Sequence, residues 1–171
     1  AQRLVRAKRT IAAVGIDFAV PTGAERAGRL DAVLTAIYLT YNAGYLSADD
    51  PGLADDAVWL AELVARSLPQ EPEAWGLLAL VTGLSARART RWDADGHLVL
   101  LAEQDRGRWD RDALTRAEDH LRRSAAFRRP GRFQLEAAIT ACHADAARWE
   151  DTDWLPILTP VTYTLLTLPT A

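Results

Sequence analysis

EPEAWGLLALVTGL, residues 71–84, is apolar on almost every side of the helix that its composition favours. A surface helix shows a single apolar stripe, whereas one that is apolar all round has to be surrounded by other elements. The segment is therefore the expected central, most buried helix of the fold. It begins at Glu71–Pro72, because a proline in the first turn has no N–H to lose and holds φ near the helical value.

The segments on both sides carry one apolar face each. Ser47–Pro51 (SADDP) collects turn formers and N-cap residues. A helix follows with Leu53, Ala57, Leu60, Ala61, Val64 and Leu68 on one face, until Pro69 stops it. Further upstream, from Gly28, the residues Leu30, Val33, Leu34, Ile37, Tyr38 and Tyr41 recur at helical spacing. Gly44 reads as the glycine just past that helix, in the left-handed conformation, with Tyr45 packing back on it. Downstream, a helix opens at Asp110 with Leu114, Ala117, Leu121 and Ala125 facing inward, while Arg111, Arg116, Glu118, Asp119, Arg122 and Arg123 face water. Pro130-Gly131 separates it from another with Leu135, Ile139, Cys142, Ala146 and Trp149 on one face. Asp151–Asp153 would cap a last helix through Trp154, Leu155, Leu158 and Val161, where Pro156 fits the first turn and Pro160 forces a kink or an end. Short connections at 68–72 and 128–132 make neighbours antiparallel. Pairs such as Ala125-Ala126, Ala137-Ala138 and Ala146-Ala147 allow the close stacking of tetratricopeptide-like (TPR-like) repeats. The predicted architecture is mainly α: antiparallel helical hairpins, TPR-like, with one short β-hairpin insertion.

That insertion lies in residues 90–110, TRWDADGHLVLLAEQDRGRWD, where the helical period lapses. Asp95-Gly96 is a two-residue turn signal, and Leu98–Leu101 reads as a short strand, giving a hairpin across Arg89–Leu101. Asp93, Asp95 and His97 have metal-ligand side chains, but an EF-hand counted back from Gly96 would start at Arg91 and lacks the closing Glu. The two carboxylates are expected to shape the turn through their own backbone instead. In Gln104, Asp105, Arg106, Trp109 and Asp110 we expect an internal network, with Asp105 and Arg106 paired elsewhere, Trp109 packed and Asp110 as a helix N-cap, or else an interdomain contact. His97, His120 and His143 stand apart from any Ser or Cys in a catalytic spacing. Cys142 and His143, neighbours in sequence, point about 100° apart on a helix, which leaves Cys142 on the apolar stripe as a structural residue. No catalytic residue, metal or cofactor is expected.

The 171 residues suffice for one domain with a core, and 49% of them are apolar. A net charge of −3 gives no overall field toward nucleic acid or anionic membrane. A single cysteine cannot close an internal disulfide and fits a reducing, cytoplasmic compartment. No apolar run approaches the roughly 18 residues of a membrane span. The absence of methionine, a starting one included, makes a piece of a longer protein the expectation.

Residues 2–11, QRLVRAKRTI, form a short basic helix with Arg3, Arg6, Lys8 and Arg9, followed by Gly15, an alternation of Ile16, Phe18 and Val20, and Pro21–Gly23. AQRLVRAKRTI resembles the end of the promoter-recognition helix of sigma-70-family factors. It is followed in order by GIDFAVP, RLDAVLTAIYLTYNAGY, EPEAWGLLALV, the DADGHLVLLAEQDRGRWD block, RPGRFQLEAAITACHA and EDTDW. That series, from residue 1 to about 158, resembles the extracytoplasmic-function (ECF) sigma factors that carry a C-terminal helical extension running into TPR-like repeats. The resemblance divides the chain into residues 1–13, the end of the promoter-binding region; 14–27, a linker; 28–128, the helical extension; and 129–171, the start of the repeats.

The resemblance implies a regulatory extension that controls promoter-directed transcription initiation. The implied partners are the upstream sigma domains of the same protein and the RNA polymerase core, with promoter DNA reached only through the complete factor and no membrane. Arg3, Arg6, Lys8 and Arg9 would then contact phosphates without reading sequence. Asn42, Gly44, Tyr45, Asp93, Asp95, Gly96, Gln104, Asp105, Arg106, Trp109 and Asp110 would form the interdomain surface. Two readings from other classes stand beside it: a stand-alone TPR-like scaffold that binds a peptide, and a small hydrolase using Asp93, Asp95, Glu103 and His97.

Overall fold

Helix α3, Pro72–Ser85, lies at the centre of the fold, and every residue from Ala74 to Gly83 is buried, as is Pro72. The computed structural model describes residues 22–46 and 52–155, together with positions 6, 9, 10, 13 and 14. Around α3 pack α2 (Gly52–Ser67), α4 (Arg111–Ala125) and α5 (Arg132–Asp145), all in contact with it. The short connections after Ser67 and after Ala125 fold α2 back on α3 and α5 back on α4. The chain is mainly α.

Two compact units divide the chain, Ala1–Val33 and Leu34–Ala171. In the first, Arg6, Arg9, Thr10, Ala13 and Val14 are helical and exposed, and the Thr10 hydroxyl donates to the Arg6 carbonyl at 3.0 Å. Helix α1 spans Gly23–Tyr45, and Glu25 pairs with Arg29 in its exposed first turns. Within the 14–27 stretch, Val14 is helical, and Gly23, with a φ of 52°, opens a helix that glutamate and arginine support one turn apart. The alternation at Ile16, Phe18 and Val20, the SADDP turn and the proline-containing segment beyond Leu155 lie outside the described residues.

In the second unit the core belongs to Leu34, Ile37, Tyr41 and Tyr45 of α1, the inner faces of α2, α4 and α5, and α3 throughout. The buried face of α2 is the alanine row Ala57, Ala61 and Ala65 rather than its leucines. Alanines let two helix axes approach closely, so Leu60 and Val64 flank the contact and Trp59 and Leu63 point to solvent. On α4 the buried positions are Ala113 and Ser124; Ala125 is exposed, and the Ser124 hydroxyl reaches the Pro72 carbonyl at 2.8 Å. On α5 the buried residues are Phe133 and Ala137, while Leu135, Ile139 and Cys142 are half-buried.

The seating of α5 depends on a side chain from another helix. Glu73 on α3 accepts from the backbone amides of Phe133 at 2.9 Å and Gln134 at 3.1 Å, which supplies the cap that Gly131 cannot. A Cβ on Gly131 would lie 2.3 Å from the Glu73 carboxyl carbon, so glycine is needed there for room.

The strand expected at Leu98–Leu101 does not form. One isolated antiparallel bridge joins Trp92 and Leu98, and the described residues contain no named strand. The ladder ends because the Gln104 side-chain amide takes the Val99 carbonyl at 3.1 Å and the chain then turns, with Glu103 N–H bonded to the Leu100 carbonyl.

Candidate functional site

Between α3 and α4 the chain makes a long excursion containing only two single-turn helices, Ala88–Thr90 and Arg106–Arg108. Excursions of more than about 15 residues without regular structure are uncommon in compact folds and are usually functional. This one is pinched at its base, where the Asp110 N–H donates to the Ala86 carbonyl at 2.9 Å. Asp110 also caps α4, its carboxylate accepting from the Ala113 amide at 2.9 Å.

The interior of the excursion is braced by a buried triad. The Thr90 hydroxyl oxygen accepts from Trp109 Nε1 at 3.0 Å and lies 3.2 Å from Gln104 Oε1 and 2.9 Å from the Arg87 carbonyl. All three residues are buried. Arg106, also buried, donates through one guanidinium nitrogen to the His143 and Ala146 carbonyls at 2.6 Å each, and its guanidinium lies 5.1 Å from the Trp109 ring centre. It therefore ties the excursion to the C-terminal carbonyls of α5, where a cation is favoured. Burial pushes its guanidinium below the ordinary value. Asp105 does not pair with a distant group: it is exposed and accepts from the Gly107 amide at 2.9 Å, capping its own turn.

The tip is fixed differently. Asp93 Oδ1 accepts from the amides of Asp95 at 2.9 Å and His97 at 2.8 Å, and Gly96 takes a φ of 80° that glycine adopts without strain. These bonds, led by the one from His97, hold the Asp93 carboxyl below the usual carboxylate range. Asp93, Asp95 and His97 bring possible ligand atoms within 4.8 Å of one another, but all three are exposed and Asp93 is committed to the turn. Beyond it Leu98 and Leu100 are 51% and 61% exposed.

On the other side of the tip, the residues near the end of α1 come together with the excursion. A cavity of about 450 Å³ is lined by Tyr41, Gly44 and Tyr45 of α1, Asp55 of α2, and Arg91 and Trp92. The Arg91 guanidinium sits 3.9 Å from the Tyr45 ring centre, and the Tyr41 and Tyr45 rings stack at 5.3 Å. The Tyr41 hydroxyl meets Ser85 Oγ at 3.1 Å, and burial pushes its phenol well above the usual range. The Tyr45 hydroxyl and Arg91 Nε are buried with no hydrogen-bond partner among the described residues.

Gly44 is not a left-handed cap. It lies within α1, and a Cβ there would stand 2.4 Å from the Ala54 amide nitrogen, so it is glycine because two helices touch backbone to backbone. Asn42, half-buried, is not among the residues lining this cavity. Of the basic residues, Arg6 and Arg9 are exposed on their helix, and Arg3 and Lys8 lie outside the described residues. The sequence reading missed Arg91, Tyr41 and Thr90. The adjacent Trp92 is the available sequence signal for Arg91.

A profile for a family of unknown function, DUF6596, matches residues 29–125, a span from the second turn of α1 to the end of α4 that contains the whole excursion. The chain belongs to the DUF6596 family. It is 46% identical over 158 residues to the uncharacterized protein R00370 of Rhizobium meliloti (strain 1021), an alignment covering 90% of this chain. The chain spans 37% of the length of that curated relative. No solved structure matches. Among the described residues of this DUF6596 chain, no helix is long and apolar enough to cross a membrane.

Proposed function

We propose that this chain is the regulatory C-terminal extension of a cytoplasmic ECF sigma factor, preceded by the end of its promoter-binding helix. In this reading it controls initiation by RNA polymerase through contacts with the upstream sigma domains of the same protein or with the polymerase core. Promoter DNA is reached only through the complete factor, with Arg3, Arg6, Lys8 and Arg9 near phosphates. One observation carries the reading. An excursion braced from inside by Thr90, Gln104, Arg106 and Trp109 holds out a tip on which Leu98 and Leu100 are exposed. A protein that stiffens a loop and leaves leucines on its end has the geometry of a docking element.

The test uses the longer polypeptide that includes the promoter-binding regions, reconstituted with RNA polymerase. Leu98→Asp with Leu100→Asp changes two side chains that are each more than half exposed and lie outside the helices, so helix content stays at the wild-type level while transcription from a target promoter departs from it. Unchanged transcription with both substitutions, and also after removal of residues 28–171, would overturn the reading. Arg106 and Trp109 are unsuitable probes because their loss unbraces the fold.

A stand-alone helical scaffold is the second reading, favoured by the half-buried Leu135, Ile139 and Cys142 on α5. It predicts peptide binding by this chain without upstream sigma regions.

A further inference from the structure

The cavity between the end of α1 and the excursion has features that packing alone does not account for. Its volume of about 450 Å³ lies in the range of small-ligand sites. The walls are aromatic: Tyr41 and Tyr45 stack, and Trp92 stands 5.9 Å from the Arg91 guanidinium. Tyr45 is only 9% exposed, yet its hydroxyl has no partner. A buried hydroxyl left unpaired is destabilising, and a phenylalanine of the same shape would avoid the penalty. Arg91, spread over the Tyr45 ring, makes no ion pair among the described residues, and its Nε is equally unpartnered.

The acidic residues nearby do not serve Arg91. Asp93 spends its carboxylate on the amides of Asp95 and His97 and on the His97 ring. Asp55 is exposed in the first turn of α2, where the helix end itself favours a negative charge. Two donors of one site are thus unused, one of them cationic, beside flat apolar walls. A carboxylate entering this cavity would offer acceptors for both groups, and a planar guanidinium matches its geometry. Asp55 at the rim disfavours a dianion.

We infer that this cavity is a binding site for a small organic monocarboxylate with an apolar or aromatic body, held at its carboxylate by Arg91 and Tyr45 and flanked by Tyr41 and Trp92. The site lies apart from the leucine tip and does not depend on the sigma-factor reading. Occupied, it would join α1 to the excursion through the ligand.

The experiment is a titration of the chain, followed by NMR, with acetate, benzoate and phenylacetate and with the three matching amides. The expected result is a saturable shift of the Arg91 side-chain Nε–H resonance with an aromatic carboxylate, with affinity lower by about ten-fold or more for its amide. Tyr45→Phe separates ligand binding from folding. Because the hydroxyl bonds to nothing among the described residues, this variant keeps or raises the thermal midpoint while carboxylate affinity falls. Arg91→Lys retains charge without the fork and also weakens binding. The inference is overturned by the absence of a saturable shift up to millimolar carboxylate, by equal affinity for acid and amide, or by a Tyr45→Phe variant that loses stability and binds undiminished.

Discussion

The Glu73 carboxylate, on the central helix, receives the backbone N–H of Phe133 at 2.9 Å, so the first turn of α5 is completed by a residue of α3 sixty positions earlier. The same side chain also holds Gln134. Removing it leaves two amides of a partly buried helix end unpaired. Glu73→Ala should therefore lower stability by about 1–3 kcal/mol, and Glu73→Gln, which keeps one acceptor oxygen, by less. Urea unfolding followed by circular dichroism measures both. Equal losses for the two variants would show that neither the bulk nor the single acceptor oxygen kept by glutamine contributes.

Two glycines of α1 should respond to alanine with opposite signs. At Gly44 the new methyl would meet the Ala54 amide nitrogen at 2.4 Å and Leu53 backbone at 2.9 Å, neither of which can yield like a side-chain end. Overpacking of this kind costs about 1–3 kcal/mol. At Gly28 nothing lies within 4 Å, and the position is exposed inside the helix. Gly28→Ala should stabilise by about 0.5–1 kcal/mol. Thermal midpoints of the two variants settle the comparison.

The Thr90 hydroxyl is a hub for the excursion. Thr90→Val leaves Trp109 Nε1 unpaired in the interior and should cost about 1–3 kcal/mol, while Thr90→Ser retains most of the stability. In a double-mutant cycle with Trp109→Phe, the coupling should be about 0.5–3 kcal/mol. Additive effects would mean that the indole packs without using its N–H.

Protonation should weaken the fold from the imidazole side. Burial lowers the pKa of His120, and burial together with the nearby Arg87 and Arg106 lowers that of His143. The unfolded chain, with imidazoles near the ordinary value of about 6.5, binds protons first, so stability rises with pH across this window. Their contribution is present above the unfolded value and is lost as pH falls through the depressed folded values. The slope is at most about 1.4 kcal/mol per pH unit for each group. Urea midpoints of the wild type should decline below about pH 6.5, and those of His120→Gln should decline less steeply. A wild-type profile flat through that range would exclude the effect.

Much of this architecture is readable in the residues that act locally. The all-round apolar α3, Pro72 at its start, Asp110 as a cap and the Asp95-Gly96 turn each follow from groups within one turn of each other. What could not be read depends on distant partners. No local pattern says that Glu73 caps α5, or that Gln104 takes the carbonyl that would have continued a strand from Val99. On α2, Ala57 and Ala61 were legible on the inner face but Ala65 was not, and the leucines read beside them are only half-buried, since hydrophobicity ranks leucine higher but close approach selects alanine. For the candidate site, Tyr45 and Gly44 were legible as unusual, but their partner Arg91 was not, because an arginine between helices reads as a solvated residue until a ring is found beneath it.

The enclosure of α3 also has a consequence in time. From Ala74 to Gly83 no residue faces solvent, so amide deuterium exchange there has no local route and must wait for the surrounding helices to separate. Those protons should report the opening of the whole second unit, whereas the amides of the exposed residues Ala94–His97, bonded only within the turn, exchange through fluctuations of the tip alone. Among the described residues of the second unit, the slow clock thus runs in the enclosed helix and a fast one in the loop that leaves its end.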